Sequence, residues 1–119
     1  MIKMYGIPNC DIIKKAAAWF KKNNIPFEWH DYKKEGISAE KLKEWSRLTG
    51  WETIFNKRSS TWKDLVNTNN PVVNNQAAAI QMMQQHNSII KRPVIEIDNE
   101  IIAGYDETVY IEKILKTYK

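Results

Sequence analysis

Between Ile2 and Tyr32 the sequence sets two short apolar runs on either side of one amphipathic stretch, and few folds accommodate that pattern. Ile2 to Ile7 reads as a short strand. Asp11 to Asn24 reads as a helix whose core stripe is Ile13, Ala16, Ala17 and Phe20, at helical spacing, and Asn23-Asn24-Ile25-Pro26 stops it. Phe27 to Tyr32 follows as a second strand. Two strands joined through one helix lie parallel in a sheet, with a right-handed crossover, and ligands of such units gather at the carboxyl ends of the strands. Here that end leads into Gly6-Ile7-Pro8-Asn9-Cys10-Asp11.

The far end of the chain carries a second pattern. Val94 to Asp98 and Ile101 to Ala103 read as two strands joined by a tight turn at Asp98-Asn99-Glu100. Glu107 to Tyr118 reads as a closing helix with Tyr110, Ile111, Ile114, Leu115 and Tyr118 facing inward and Lys113, Lys116 and Lys119 near its negative end. The middle is helical. Ser38 caps a helix through about Leu48, which Thr49-Gly50-Trp51 closes, and Thr61-Trp62-Lys63-Asp64 starts another. Asn75 to about Gln85 reads as a helix because Ala77-Ala78-Ala79-Ile80 and Met82-Met83 interrupt an Asn- and Gln-rich stretch that is otherwise a polar linker. The expected fold is α/β: βαβ, a helical insertion at about 38–88, then ββα, in one domain over 1–119 with a mixed four-stranded sheet.

Cys10 is the only cysteine, so these 119 residues form no internal disulfide and no multi-cysteine zinc site, and with only His30 and His86 besides, a metal site would need an unusual set of ligands. His30 reads as a sheet-face residue and His86 as a structural or solvated one. The first eight residues hold no apolar run long enough for a signal peptide, and no later segment spans a membrane, so the expected location is cytoplasmic. The net charge of +4 comes from 18 basic residues spread along the chain against 14 acids. Direct nucleic-acid binding ordinarily shows a denser basic stripe.

A cysteine at a helix start is placed for chemistry. Unpaired backbone N–H groups and aligned peptide dipoles there favour negative charge, and the thiolate is the reactive form. Lys14 and Lys15, within a turn, act in the same direction, and Asp11 opposes them. The alternative is a small buried hydrophobe. Asn9 either orients the thiol or ends the loop. Arg92 precedes Pro93, at the kind of bond where cis peptides occur. Arg58 lies in a polar turn, where a solvated loop residue is the simpler reading.

Four blocks taken together narrow the choice: Tyr5-Gly6-Ile7-Pro8-Asn9-Cys10-Asp11, His30-Asp31-Tyr32, Asn56-Lys57-Arg58-Ser59-Ser60-Thr61-Trp62-Lys63-Asp64-Leu65 and Ile90-Lys91-Arg92-Pro93-Val94. Their order resembles the family that groups glutaredoxin-linked arsenate reductases with the Spx regulators, most of all its uncharacterised reductase-like branch. The resemblance implies a thioredoxin-like fold. It also implies Cys10 as nucleophile, Arg58 and Arg92 as anion-holding residues and Pro93 as a cis-proline next to the site; Asn9, as a candidate anion-binding residue, and Lys14, in support, join them from their places beside Cys10.

Two departures shape the functional expectation. Arsenate-reducing members carry a third arginine at the end of the hairpin, where this chain reads Ile101-Ile102-Ala103-Gly104-Tyr105. A multiply charged oxyanion needs several fixed donors, and loss of one costs about 3 kcal/mol of transition-state binding. The redox form of Spx has Cys-x-x-Cys, where this chain has Ile13 three residues after Cys10, so any redox cycle draws its second thiol from outside. The resemblance therefore implies a glutathione-dependent thiol oxidoreductase with no bound cofactor, served by glutathione or a glutaredoxin-type thiol. The alternative it implies is an Spx-like regulator that binds RNA polymerase without enzymatic activity.

Overall fold

The computed structural model describes residues 1–118, the side chain of Tyr118 excepted. Expectations for Lys119 and for the inward placement of Tyr118 fall outside the described residues. The chain divides into two compact units: residues 1–31 with the stretch that begins at Arg92, and Tyr32–Lys91.

The first unit is a sheet with helices. Its strands are β1 (Lys3–Gly6), β2 (Glu28–Asp31), β3 (Val94–Ile97) and β4 (Glu100–Ala103), in the order β2-β1-β3-β4. β1 runs parallel to β2 with Lys3 opposite Glu28, and antiparallel to β3 with Tyr5 opposite Val94. β3 and β4 form the hairpin, Ile97 opposite Glu100. This is the expected mixed, thioredoxin-like sheet. The two-residue turn Asp98-Asn99 holds Asp98 at φ 51°, a left-handed conformation that Asp tolerates better than most residues.

Side chains alternate across the strands, so Met4, Ile95 and Ile102 fall on one face and bury against α1 (Asp11–Lys22) and the C-terminal helical stretch. The stripe that α1 buries is Ile13, Ala16, Trp19 and Phe20. Trp19 takes the place expected of Ala17 because its indole packs edge-on to Phe20 and Tyr110, at 5.3 and 5.2 Å between ring centroids. The helix ends two residues earlier than its sequence pattern suggests. Asn24, at φ 57°, donates its N–H to the Lys21 carbonyl, and Ile25 reaches back to that of Phe20. This Schellman arrangement satisfies two orphan carbonyls and buries Ile25 beside Phe20.

The closing helix is three pieces: α7 (Glu107–Tyr110), a π-helical stretch at Ile111–Leu115, and α8 (Lys116–Tyr118). Its inner face is narrower than expected. Tyr110 and Ile114 are buried, Leu115 is partly so, and Ile111 is exposed.

The second unit holds α2 (Tyr32–Glu35), α3 (Ala39–Thr49), α4 (Trp51–Ile54), α5 (Ser60–Thr68), α6 (Gln76–Gln85) and a 3-10 turn at Asn87–Ile89. Ser38, Ser59 and Asn75 each cap the following helix by accepting from the backbone N–H three residues on. The Asn75 cap makes the polar stretch a helix rather than a linker. Leu42, Trp45, Ile54, Phe55, Ile80, Met83, Ile89 and Ile90 are buried here. No described helix is long and apolar enough to cross a membrane.

Candidate functional site

The register of the sheet decides what meets Cys10. β1 runs toward Gly6 and β3 starts at Val94 opposite Tyr5, so the loop that carries Pro8, Asn9 and Cys10 leaves the sheet at the end where Arg92 and Pro93 enter it. β4 finishes at that end too, because Ala103 lies opposite Val94. One end of the sheet thus collects Cys10, Arg92-Pro93 and Gly104-Tyr105.

Cys10 occupies the N-cap position of α1, extended at φ −110° and ψ 130°. Its carbonyl accepts the first helical bond from Lys14 N–H at 3.0 Å, while its side chain makes no capping bond and is half-buried. The first-turn amide groups are therefore not capped by the side chain that usually caps them. Lys14 is exposed one turn along.

Asn9 is exposed at φ 61°. The chain turns there between Pro8 and the helix, and Asn adopts the left-handed region at lower cost than most residues. Arg92 is half-buried, Pro93 is buried, and the bond between them is cis. The Pro93 carbonyl accepts the Gly104 N–H at 2.7 Å. Arg58 belongs to the second unit. Its own N–H donates to Asn56 Oδ1 at 3.1 Å, and its side chain is exposed on the turn that precedes α5.

Two residues near the hairpin's end are legible only in the structure. Tyr110 sends its phenol hydrogen to the Gly104 carbonyl at 2.8 Å, and Tyr105 packs edge-on to it at 5.2 Å. Burial pushes the Tyr110 phenol up, with Tyr105 and Asp106 adding to the effect. The Tyr105 phenol is also raised, first by burial and then by Glu107. Both remain protonated donors at neutral pH.

On the opposite face of the sheet from the core cluster, Tyr5 donates to Glu96 Oε1 at 2.9 Å and stacks at a tilt on His30, 4.8 Å away. His30 is thus a sheet-face residue. Among the described residues no group of three or more His, Cys, Asp or Glu is placed to hold a metal ion.

The sequence model of the ArsC family matches residues 5–113. An uncharacterised protein of Haemophilus influenzae is 36% identical over 112 residues, covering 92% of this chain and 96% of its own. The global transcriptional regulator Spx 1 of Oceanobacillus iheyensis is 30% identical over 110 residues, covering 90% and 82%. Among solved structures, the YFFB (PA3664) protein superposes with a TM-score of 0.88 at 33% identity, over 94% of this chain and 97% of that one. An arsenate reductase (ArsC) related protein from Brucella melitensis does so at 0.73 and 35%, over 94% and 92%.

Proposed function

The chain belongs to the ArsC family, and from that premise we propose that it is a thiol oxidoreductase whose single nucleophile is Cys10 and whose second thiol comes from outside the chain. The observation that carries this reading is a thiol left uncommitted at a helix N-cap. Cys10 caps nothing with its side chain and keeps part of its surface in solvent, where the helix start favours the thiolate.

A mixed disulfide between a substrate thiol and glutathione suits this set of residues. The Cys10 thiolate attacks the glutathione sulfur, a new S–S bond forms on Cys10, and the substrate leaves as its thiolate, which takes up a proton. A second glutathione then attacks the same glutathione sulfur, leaves as glutathione disulfide with the first, and returns Cys10 to the thiolate. In sum one S–S bond is exchanged for another: the incoming glutathione is oxidised and gives up its proton, and one substrate thiol is reduced and freed. Arg92, at the same end of the sheet, holds carboxylate or developing thiolate charge, and the resemblance adds Arg58 to that task. Lys14 supports the thiolate, and the turn at Asn9 and the carbonyl of Pro93 fix the loop and its neighbour. An oxyanion such as arsenate is the less favoured electrophile, because the hairpin end offers Gly104 and Tyr105 where such chemistry uses a guanidinium.

The test is reduction of a glutathionylated model peptide with glutathione present, followed through the glutathione disulfide produced. Wild-type protein is expected to accelerate the exchange well above the spontaneous rate, and Cys10→Ser to abolish the acceleration. Equal rates with and without wild-type protein overturn the proposal.

A second reading rests on the Spx relatives, which cover nine-tenths of this chain. In it the protein binds RNA polymerase, and Cys10 is dispensable. Co-purification of polymerase with both wild type and Cys10→Ser, with no thiol turnover, would establish it instead.

A further inference from the structure

The second unit leaves one of its helices uncovered. α5 is amphipathic, yet none of its residues is buried. Its first turn is fastened: Ser59 caps the Trp62 N–H, the Ser88 hydroxyl donates to Thr61 Oγ1 at 2.7 Å, and the Trp62 ring stands edge-on to buried Phe55, 5.0 Å away. Beyond that turn Lys63 and Asn67 are exposed, and Val66 keeps 36% of its surface open. A groove of about 260 Å³ lies along this face, lined by Lys57, Trp62, Lys63, Val66 and Asn67.

Size, spacing and charge select the occupant. Small-molecule sites run from about 300 to about 1,000 Å³, so this groove takes the side chains of a larger partner rather than a whole cofactor. Trp62 and Val66 are four residues apart and stack one turn above the other, about 6 Å along the axis of α5. Such an apolar strip receives the ridge of a second helix with apolar residues at the same spacing. Lys57 and Lys63 are the only charged residues of the lining, and neither takes part in an ion pair among the described residues. A neutral or basic helix would leave both ammonium groups unanswered, and an acidic one meets both. Because Phe55 already holds the Trp62 ring, covering that ring orders little that was free, and a fixed tryptophan is the kind of residue that carries binding energy at interfaces.

We infer that this face of α5 docks an acidic amphipathic helix of a partner protein. An apolar side chain of that helix seats against Trp62 and Val66, and its carboxylates meet Lys57 and Lys63. The surface makes no use of Cys10 and stands whether or not the thiol turns over. Its ion pairs are exposed, so affinity falls with salt, while the apolar anchor supplies the part that salt does not screen.

The probe is the peptide acetyl-EAELAELLAEAE-amide, titrated into the isotope-labelled full chain. Saturable shifts are expected at the amides of Trp62, Lys63, Val66 and Asn67, in wild type and in Cys10→Ser alike. Replacing the leucines of the peptide by alanine, or its glutamates by lysine, is expected to raise the dissociation constant about five-fold or more. Lys63→Glu and Val66→Glu are each expected to do the same from the protein side, and both positions are exposed enough for the fold to tolerate the change. Shifts that cluster elsewhere, no saturable shifts at all, or variants that bind as tightly as wild type would each overturn the inference. So would an alanine peptide that binds as well as the leucine one, since charge attraction alone would then account for binding. Sedimentation of the protein by itself tests the remaining occupant: a wild-type dimer that Lys63→Glu dissociates would assign the face to a second copy of this chain and overturn the inference too.

Discussion

The N–H of Gly104 donates to the carbonyl of Pro93 at 2.7 Å, which ties the end of β4 to the residue that leads into β3. Gly104 is held from its other side as well, since its carbonyl accepts the Tyr110 hydroxyl at 2.8 Å. A chain of two hydrogen bonds thus runs from the buried face of α7 to the loop that carries Arg92. The aromatic cluster of Trp19, Phe20 and Tyr110 fixes the outer end of that chain. The positions of Arg92 and Tyr105 depend on the same anchor.

Tyr110→Phe removes one hydrogen bond and keeps the ring, so it is expected to cost about 1 kcal/mol at neutral pH. The pH dependence has a definite sign. The folded-state pKa of Tyr110 lies above its unfolded value of about 10, so its stabilising contribution is complete below pH 10 and is lost as pH rises through the folded value. Tyr105 acts in the same direction. Wild type is therefore expected to lose stability steeply above pH 10 in denaturant titrations, and Tyr110→Phe less steeply. Parallel slopes for the two proteins would refute the assignment.

The architecture was largely legible in the sequence because its two halves are short, apolar and well punctuated: Pro8-Asn9 before α1, Asn24-Ile25-Pro26 after it, and Asp98-Asn99 in the hairpin. Where the reading failed, packing had overruled pattern. Ala17 and Trp19 are both apolar and lie two residues apart, and only the ring cluster around Tyr110 decides that α1 turns Trp19 inward. The inner face of the closing helix came out too wide because the π-helical stretch at Ile111–Leu115 departs from the 3.6-residue period on which the expectation stood. At the site, Cys10 at a helix start could be read from local sequence. Arg58 could be singled out only through the resemblance, since its surroundings are those of a polar turn. The placement of Tyr105 and Tyr110 around Gly104 needed the third dimension.

Arg92 is expected to act on charge held near Cys10 rather than on folding. It is half-buried, so Arg92→Ala should leave the melting temperature nearly unchanged while lowering kcat/KM about 10- to 100-fold in the disulfide exchange assay. Arg92→Lys keeps the charge but not the bidentate fork and should fall between the two. Lysine rescuing fully would mean that a point charge suffices. Arg58→Ala, tested in parallel, is expected to reduce kcat/KM in the same direction, and an unchanged value would strip that residue of its role.

Asn24 closes α1 at φ 57°. Glycine takes this conformation without a Cβ penalty, so Asn24→Gly is expected to be neutral or to stabilise by up to about 1 kcal/mol. Asn24→Val should cost about 1–2 kcal/mol, because a branched side chain crowds the following carbonyl in the left-handed region. Thermal melts of the two variants displaced in the same direction would argue against the left-handed C-terminal cap.

Gly6 is the residue whose replacement should be felt most directly at the foot of the Cys10 loop. A Cβ built there would lie 2.5 Å from Ile13 Cδ1, 3.2 Å from Ile13 Cγ1 and 3.3 Å from the Trp29 ring. Ile13 is buried, three residues after Cys10 on the inward side of α1, so it has little room to retreat. Gly6→Ala is therefore expected to destabilise by about 1–3 kcal/mol through overpacking. The nearest clash is with a single methyl group, which suggests the compensating change: Ile13→Val removes Cδ1 and costs about 1 kcal/mol alone. In the double variant the two penalties should not add, and a double-mutant cycle is expected to give about 1 kcal/mol of favourable coupling. Strict additivity would mean that the strain of Gly6→Ala falls on Trp29 or on the strand backbone. Wild-type stability of Gly6→Ala alone would mean that Ile13 moves freely, and that the inner wall beneath Cys10 is not the fixed surface its packing describes.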